Sequence, residues 1–125
     1  MFNNLVIWLD DRRNPFSYDW YPVIQKNSHD FKGEPVVVWI KTYEKFCDWM
    51  SKVMDDPAEL FPALVCFDHD LGEEKTGLDC AKVLVETCMK YNMPLPKFEC
   101  HSSNPDGREN ILSYLNSYLK SLKCL

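Results

Sequence analysis

The 125-residue chain carries no excess of positive charge: 14 Lys and Arg stand against 19 Asp and Glu, a formal net charge of −5. An extended nucleic-acid face needs clustered Lys and Arg, so that class is excluded, although a local basic site is not. There is no apolar run of membrane-spanning length, and no membrane role is expected. Asp10 and Asp11 interrupt the first apolar stretch, which does not fit a signal peptide. The expected location is the cytoplasm. No two cysteines form a Cys-x-x-Cys pair. Cys47, Cys66, Cys80, Cys88 and Cys100 all lie inside apolar periodic segments, and in a reducing compartment they read as small buried hydrophobes. Internal repeats and low-complexity segments are also lacking.

What is present is a core. The composition is 46% hydrophobic and 14% aromatic, which excludes a disordered chain and suits one domain. Leu5 to Leu9 is a continuous apolar run, as in a strand covered on both faces. The stretch from Asp10 to Glu34 is punctuated by Asn14-Pro15 and Tyr21-Pro22, with room for a short helix around Trp20 to Lys26. Val36 to Ile40 is a second, β-branched strand. Thr42 is placed to cap a helix from Tyr43 to about Met54, with Phe46, Trp49, Met50 and Val53 on one face. Ala63 to Phe67 is a third strand. Thr76 opens a further helix, with Asp79 completing a capping box and Asp79, Lys82, Glu86 and Lys90 as its polar stripe. Lys97 to His101 is a fourth strand, at a sheet edge because of Glu99. Asn104 caps a last helix that starts at Pro105, with Ile111, Leu115, Tyr118 and Leu122 as its core stripe. Trp8, Trp39, Phe46 and Trp49 read as core. Alternating strands and helices predict a three-layer α/β fold around an open parallel sheet.

Polar runs follow three of the strands: Asp10-Asp11-Arg12-Arg13, Asp68-His69-Asp70 and His101-Ser102-Ser103-Asn104-Pro105. Carboxyl ends of neighbouring parallel strands share one rim, where ligands bind. Asp10, Asp11, Asp68 and Asp70 are then candidate ligands for a hard divalent cation, Mg²⁺ or Mn²⁺. The plainer alternative is a pair of solvated acidic turns. His69 and His101 are candidates for an acid–base pair across a phosphodiester. Equally, His69 fits a softer metal or a plain surface loop, and a strand-end His101 can simply satisfy loop carbonyls. Arg12, Arg13, Arg108 and the start of the last helix at Asn104 are candidate phosphate contacts. Simple capping at Asn104 is the alternative, and one of Arg12 and Arg13 is expected to pair with the acidic cluster. Trp20 and Tyr21 can stack a nucleobase or pack under their loop.

These motifs resemble the receiver domain of two-component signalling. The resemblance implies that Asp10 and Asp11 bind Mg²⁺, that Asp68 occupies the phosphoacceptor position, and that Ser102 stands near the family's Ser/Thr position. The family's lysine on a fifth strand has no counterpart here. The sequence is more similar to a divergent branch, the cyclic-phosphate processing receiver domain. The similarity rests on Leu9-Asp10-Asp11-Arg12, Asp68-His69-Asp70-Leu71-Gly72, Thr76-Gly77-Leu78-Asp79 and the run from His101 to Ile111. It implies one receiver-like, flavodoxin-like domain over 1–125, with about four strands in the order 2-1-3-4 and the fifth missing.

The first functional expectation is a metal-assisted phosphoesterase acting on a cyclic phosphate or small cyclic nucleotide. In it Asp10, Asp11, Asp68 and Asp70 hold the cation. Asp68, His69 and His101 do the chemistry, and Arg12, Arg13, Ser102, Asn104 and Arg108 hold phosphate. The second is a non-catalytic module that binds or sequesters a nucleotide or a protein partner. The third, a phosphoaccepting switch, is disfavoured by the missing lysine.

Overall fold

Four short strands run through the middle of the buried core. They are Leu5–Leu9 (β1), Val36–Ile40 (β2), Leu64–Phe67 (β3) and Lys97–Cys100 (β4), as seen in a computed structural model that describes residues 4–123. They form one parallel sheet in the order β2-β1-β3-β4. In register, Trp8 stands beside Trp39 on one side and Cys66 on the other, and Phe67 stands beside Cys100.

Side chains alternate across a strand, so each strand feeds two cores. Ile7, Leu9, Val65, Phe67 and Cys100 face one side. There they meet three helices: Tyr43–Lys52 (α2), Gly77–Tyr91 (α4) and Pro105–Lys123 (α5). Val6, Trp8, Leu64 and Cys66 face the other side, against Ile24 of Tyr21–Asn27 (α1) and the loop around it. Both central strands are thus covered twice, which is why they read as unbroken apolar runs. Each fully buried large side chain contributes about 1.5–3 kcal/mol relative to exposure.

The helix starts follow local chemistry. Thr42 Oγ1 accepts the Lys45 amide, Asp79 Oδ2 accepts the Thr76 amide, and Asn104 Oδ1 accepts the Gly107 amide. α4 ends at Asn92, in the left-handed conformation at φ 54°.

Several details differ from the sequence reading. A 3-10 turn, Val53–Asp55, follows α2, and a four-residue helix, Pro57–Leu60 (α3), uses a proline at its start. Leu122, in the last turn of α5, is 44% exposed rather than core. Trp39 and Trp49 are only half-buried. Among the described residues no strand follows β4, and no helix is long and apolar enough to cross a membrane.

Candidate functional site

The ladder between β1 and β2 extends one residue past β1: the Asp10 amide donates to the Ile40 carbonyl at 3.1 Å. The chain then folds back on the Asp10 carboxylate. Oδ1 accepts the amides of Arg12 at 2.8 Å and Arg13 at 2.9 Å, an Asx-type turn. This turn sends the Arg13 side chain over the rim. Its Nη1 lies 3.3 Å from Asp10 Oδ2 and 3.5 Å from Asp68 Oδ1, and Nη2 donates to Ser103 Oγ at 3.3 Å. One guanidinium therefore ties together the ends of β1, β3 and β4. It also stands 5.0 Å from the centre of the Trp20 ring, a cation–π contact.

His101 completes the setting of Asp10. Its Nε2 is 2.9 Å from Asp10 Oδ2, and its ring lies flat on Trp8, with centroids 3.9 Å apart and planes 7° apart. Trp20 closes over it at 5.6 Å. The His101 side chain is 2% exposed. Trp39 supports the same residue from β2, its Nε1 donating to the Asp10 carbonyl at 2.7 Å.

Asp10, Asp11 and Asp68 each offer one oxygen within 4.8 Å of the others. Three hard oxygen donors at that spacing fit Mg²⁺ or Mn²⁺. Their protonation is unequal. Burial pushes the Asp10 carboxyl up, but hydrogen bonds from His101, Arg13 and Arg12 outweigh it and hold the group below its ordinary value. Burial and then the neighbouring Asp10 charge push Asp68 up, against the pull of His101, Arg13 and a Ser102 hydrogen bond. Asp68 is the carboxylate whose charge burial and Asp10 disfavour more than Arg13 and His101 favour it.

Two glycines let the loop after β3 close on this cluster. Gly72 has φ +70°, and a Cβ there would lie 2.9 Å from Asp11 Oδ2. At Gly77 a Cβ would lie 1.8 Å from the Asp68 carbonyl oxygen, so only glycine lets the start of α4 approach β3 this closely.

The other expected site residues are distributed unevenly. Ser102 joins the cluster through Asp68 and also accepts the Asn104 amide at 3.1 Å. Asp70 does not join the carboxylate trio; it is exposed, and its Oδ2 lies 3.5 Å from Asn104 Nδ2. Asn104 spends its side-chain oxygen on capping α5. Arg108 Nε donates to the Cys100 carbonyl at 3.2 Å, and the Arg12 amide donates to Asp10 Oδ1.

The two histidines are not brought together. The His69 ring lies against Gly107 of α5, where a Cβ would come within 2.2 Å of it. That is the face of the sheet covered by three helices, whereas His101 lies on the Trp8 face. Nδ1 of each ring is buried without a partner among the described residues. Each ring has its own setting, His69 against Gly107 and His101 beside Trp8 and Trp20. Sequence reasoning missed Ser103 as the partner of Arg13, and it missed the Trp8, Trp20 and Trp39 contacts that brace Asp10 and His101.

The rim thus holds an acidic trio, one bridging guanidinium and two serine hydroxyls. It can hold a cation against carboxylates and present donors to a phosphoryl group. Residues 5–117 match the family model described as the cyclic-phosphate processing receiver domain. No curated protein and no solved structure matches the chain.

Proposed function

The chain belongs to the cyclic-phosphate processing receiver domain family, and from that premise we propose that its rim is a metal-assisted phosphoesterase centre for a small cyclic phosphate or cyclic nucleotide. The carrying observation is the convergence of Asp10, Asp11 and Asp68, with oxygens within 4.8 Å of one another, beside Arg13 and the Ser102–Ser103 pair. The three carboxylates fit a divalent cation in charge and donor type, and Asp68 is the member whose charge is disfavoured. A cation held there supplies Lewis-acid polarisation of a phosphoryl oxygen.

The chain's own groups do the rest. Asp10, Asp11 and Asp68 would hold the cation, and Arg13, which lies over Asp10 and Asp68, would donate to the phosphoryl oxygens. Ser102 and Ser103 orient the same oxygens. The reaction adds water to phosphorus, breaks one ring P–O ester bond and gives the freed alcohol a proton, leaving a phosphomonoester. His101 is a positioning residue: buried and stacked on Trp8, it acts through Asp10. His69 acts through α5, not on the substrate.

The test is phosphorus NMR of 2′,3′- and 3′,5′-cyclic nucleotides incubated with the protein and Mg²⁺ or Mn²⁺. Conversion to a phosphomonoester by the wild type, lost in Asp11→Asn, is the expected result. No conversion of any member of the panel removes the enzyme reading.

A second reading has its own support. Arg13 already lies against Asp10 and Asp68, and both histidine rings are packed against protein groups. Under it the rim binds a cyclic phosphate without turning it over, and the same panel shows broadened, unconverted ligand signals.

A further inference from the structure

The sheet has two outer edges, and the fold treats them differently. β4 spends the amides of Lys97 and His101 on β3, so the backbone groups of Phe98 and Cys100 alternate outward. There the protein closes its own edge. Glu99 Oε1 accepts the Cys100 amide at 2.9 Å, and Arg108 Nε donates to the Cys100 carbonyl at 3.2 Å. Charged side chains on an edge keep other strands off it. β2 is the opposite case. The Val36 amide donates to the Asn4 carbonyl, and the Ile40 carbonyl accepts the Asp10 amide. Val36, Val38 and Ile40 therefore face β1, and Val37 and Trp39 turn their backbone groups outward. Among the described residues nothing bonds to those groups. We propose that the outer edge of β2 takes an added strand, and that its occupant is an extended acidic peptide segment of a partner protein, with the pattern acidic-x-apolar-x-acidic.

The first argument is shape. A groove of about 610 Å³ follows this edge, lined by Trp39 and Ile40 of β2, by Lys45, Trp49 and Lys52 of α2, and by Leu60 of α3. In a strand added there, every second side chain faces α2. The two tryptophans have different parts. The Trp39 ring belongs to the opposite face of the sheet and is covered by Lys41, whose Nζ lies 4.2 Å from its centroid. It offers the peptide its backbone, not its indole. Trp49 stays on the α2 side, half-buried, with Nε1 fixed on the Leu60 carbonyl at 2.9 Å. Its remaining surface is apolar and suits one aliphatic side chain. In strand addition the main chain supplies affinity and the alternate side chains supply selection.

The second argument is charge. The whole chain is acidic, at net −5, yet the lining sets Lys41, Lys45 and Lys52 against Asp48 alone. Lys45 and Lys52 are exposed and pair with no carboxylate among the described residues. Lys45 and Lys52 stand about 10 Å apart along the α2 axis, at 1.5 Å per residue. A strand covers about 13 Å between residues i and i+4, and the lysine stems absorb the difference. Carboxylates at i and i+4 therefore reach the two lysines while residue i+2 meets Trp49. Asp48 stands beside Trp49 in the same lining and repels a third carboxylate, so the middle position belongs to an apolar residue.

The inference makes no use of the acidic rim, and the experiment keeps the two apart. The probe is the capped peptide Ser-Glu-Thr-Ile-Thr-Glu-Ser, titrated into the ¹⁵N-labelled full chain at low salt in chelator. The Trp49 indole signal and the Val37 and Trp39 amide signals should shift, while the Trp8 and Trp20 indoles beside His101 stay unmoved. Hydrogen exchange of the Val37 and Trp39 amides should slow at least about tenfold, because only a paired edge protects them. Lys45→Glu/Lys52→Glu should bind at least about tenfold more weakly, since attraction becomes repulsion. Backbone pairing is also tested on the peptide, where no variant can misfold the protein. N-methylation of the Ile amide and of the preceding Thr amide, made separately, should differ: the amide that faces β2 is needed and its neighbour is not. Asp68→Asn, which alters the rim, should bind the peptide as the wild type does. The proposal is overturned if the Val37 and Trp39 amides keep their exchange rates, if the charge reversal leaves affinity unchanged, or if the two methylated peptides bind alike. Loss of binding in Asp68→Asn overturns it too, since the peptide would then sit at the rim. So does protection of the Val37 and Trp39 amides that rises with protein concentration without peptide, since a second copy would then hold the edge.

Discussion

Replacing Arg13 by methionine tests how the acidic rim is held together without a metal. The guanidinium lies 3.3 Å from Asp10 Oδ2 and 3.5 Å from Asp68 Oδ1, in a site where neither carboxylate is more than 4% exposed. At an effective dielectric of about 20 each contact is worth roughly 5 kcal/mol in gross Coulomb terms. Desolvation of the charges cancels much of that. Removing one partner of a buried ion pair costs about 3–5 kcal/mol. Here the cost is reduced, because Asp10 keeps His101 and two backbone amides, and Asp68 keeps the His69 amide and Ser102. The expected loss is therefore about 2–3 kcal/mol, or roughly 8–12 °C in Tm for a domain of this size. Methionine retains an apolar stem against Trp20, so the loss reports charge rather than packing. Thermal melts in chelator measure it. Adding Mg²⁺ should then restore more stability to Arg13→Met than it adds to the wild type, since the cation no longer displaces a guanidinium. A variant that melts within about 2 °C of the wild type in chelator, roughly half a kcal/mol, would refute the reasoning. So would an equal Mg²⁺ gain in both proteins.

Two glycine variants probe the close approaches. In Gly77→Ala the new Cβ meets the Asp68 backbone, which cannot rotate away, so about 2–3 kcal/mol should be lost by chemical denaturation. In Gly107→Ala it meets the His69 side chain, so about 1–2 kcal/mol is expected, with the His69 ring signals displaced in NMR; equal costs would place the rigid contact elsewhere. The pH dependence has two parts of opposite sign. Asp10 sits below its ordinary 3.8 when folded, so its stabilisation is complete above that value and is lost as pH falls through the folded one. Asp68 sits above 3.8, so its charge burdens the metal-free fold at neutral pH, and the burden lifts as pH falls through the raised value. Asp68→Asn should therefore be more stable than the metal-free wild type at pH 7, with the gap closing toward pH 4; urea melts that show a constant gap would contradict this.

Much of this architecture was legible because strand-end chemistry and strand burial coincide. Leu5 to Leu9 reads as a doubly covered strand and Ala63 to Phe67 as a third strand, and their polar ends had to share a rim once the sheet was parallel. The strand order came from the family resemblance, not from periodicity. The different settings of the two histidines were visible in their parity. Along β3, Val65 and Phe67 share a face with His69, whereas in β4 the alternation after Cys100 turns His101 to the Trp8 side. Period-2 alternation alone separates them. The choice of Arg13 over Arg12 was not legible, because it depends on the turn that folds both amides onto Asp10 Oδ1. Nor was the capture of Asn104 and Arg108 by capping and by the Cys100 carbonyl, since free donors and satisfied ones look alike in a sequence.

The central claim is that Asp10, Asp11 and Asp68 form one cation site. Titration of the protein with Mn²⁺, followed by electron paramagnetic resonance of the free ion, tests it most directly. The account predicts one bound ion per chain in the wild type, displaced by Mg²⁺, and none in Asp68→Asn. An Asp68→Asn protein that binds Mn²⁺ with wild-type affinity would contradict it.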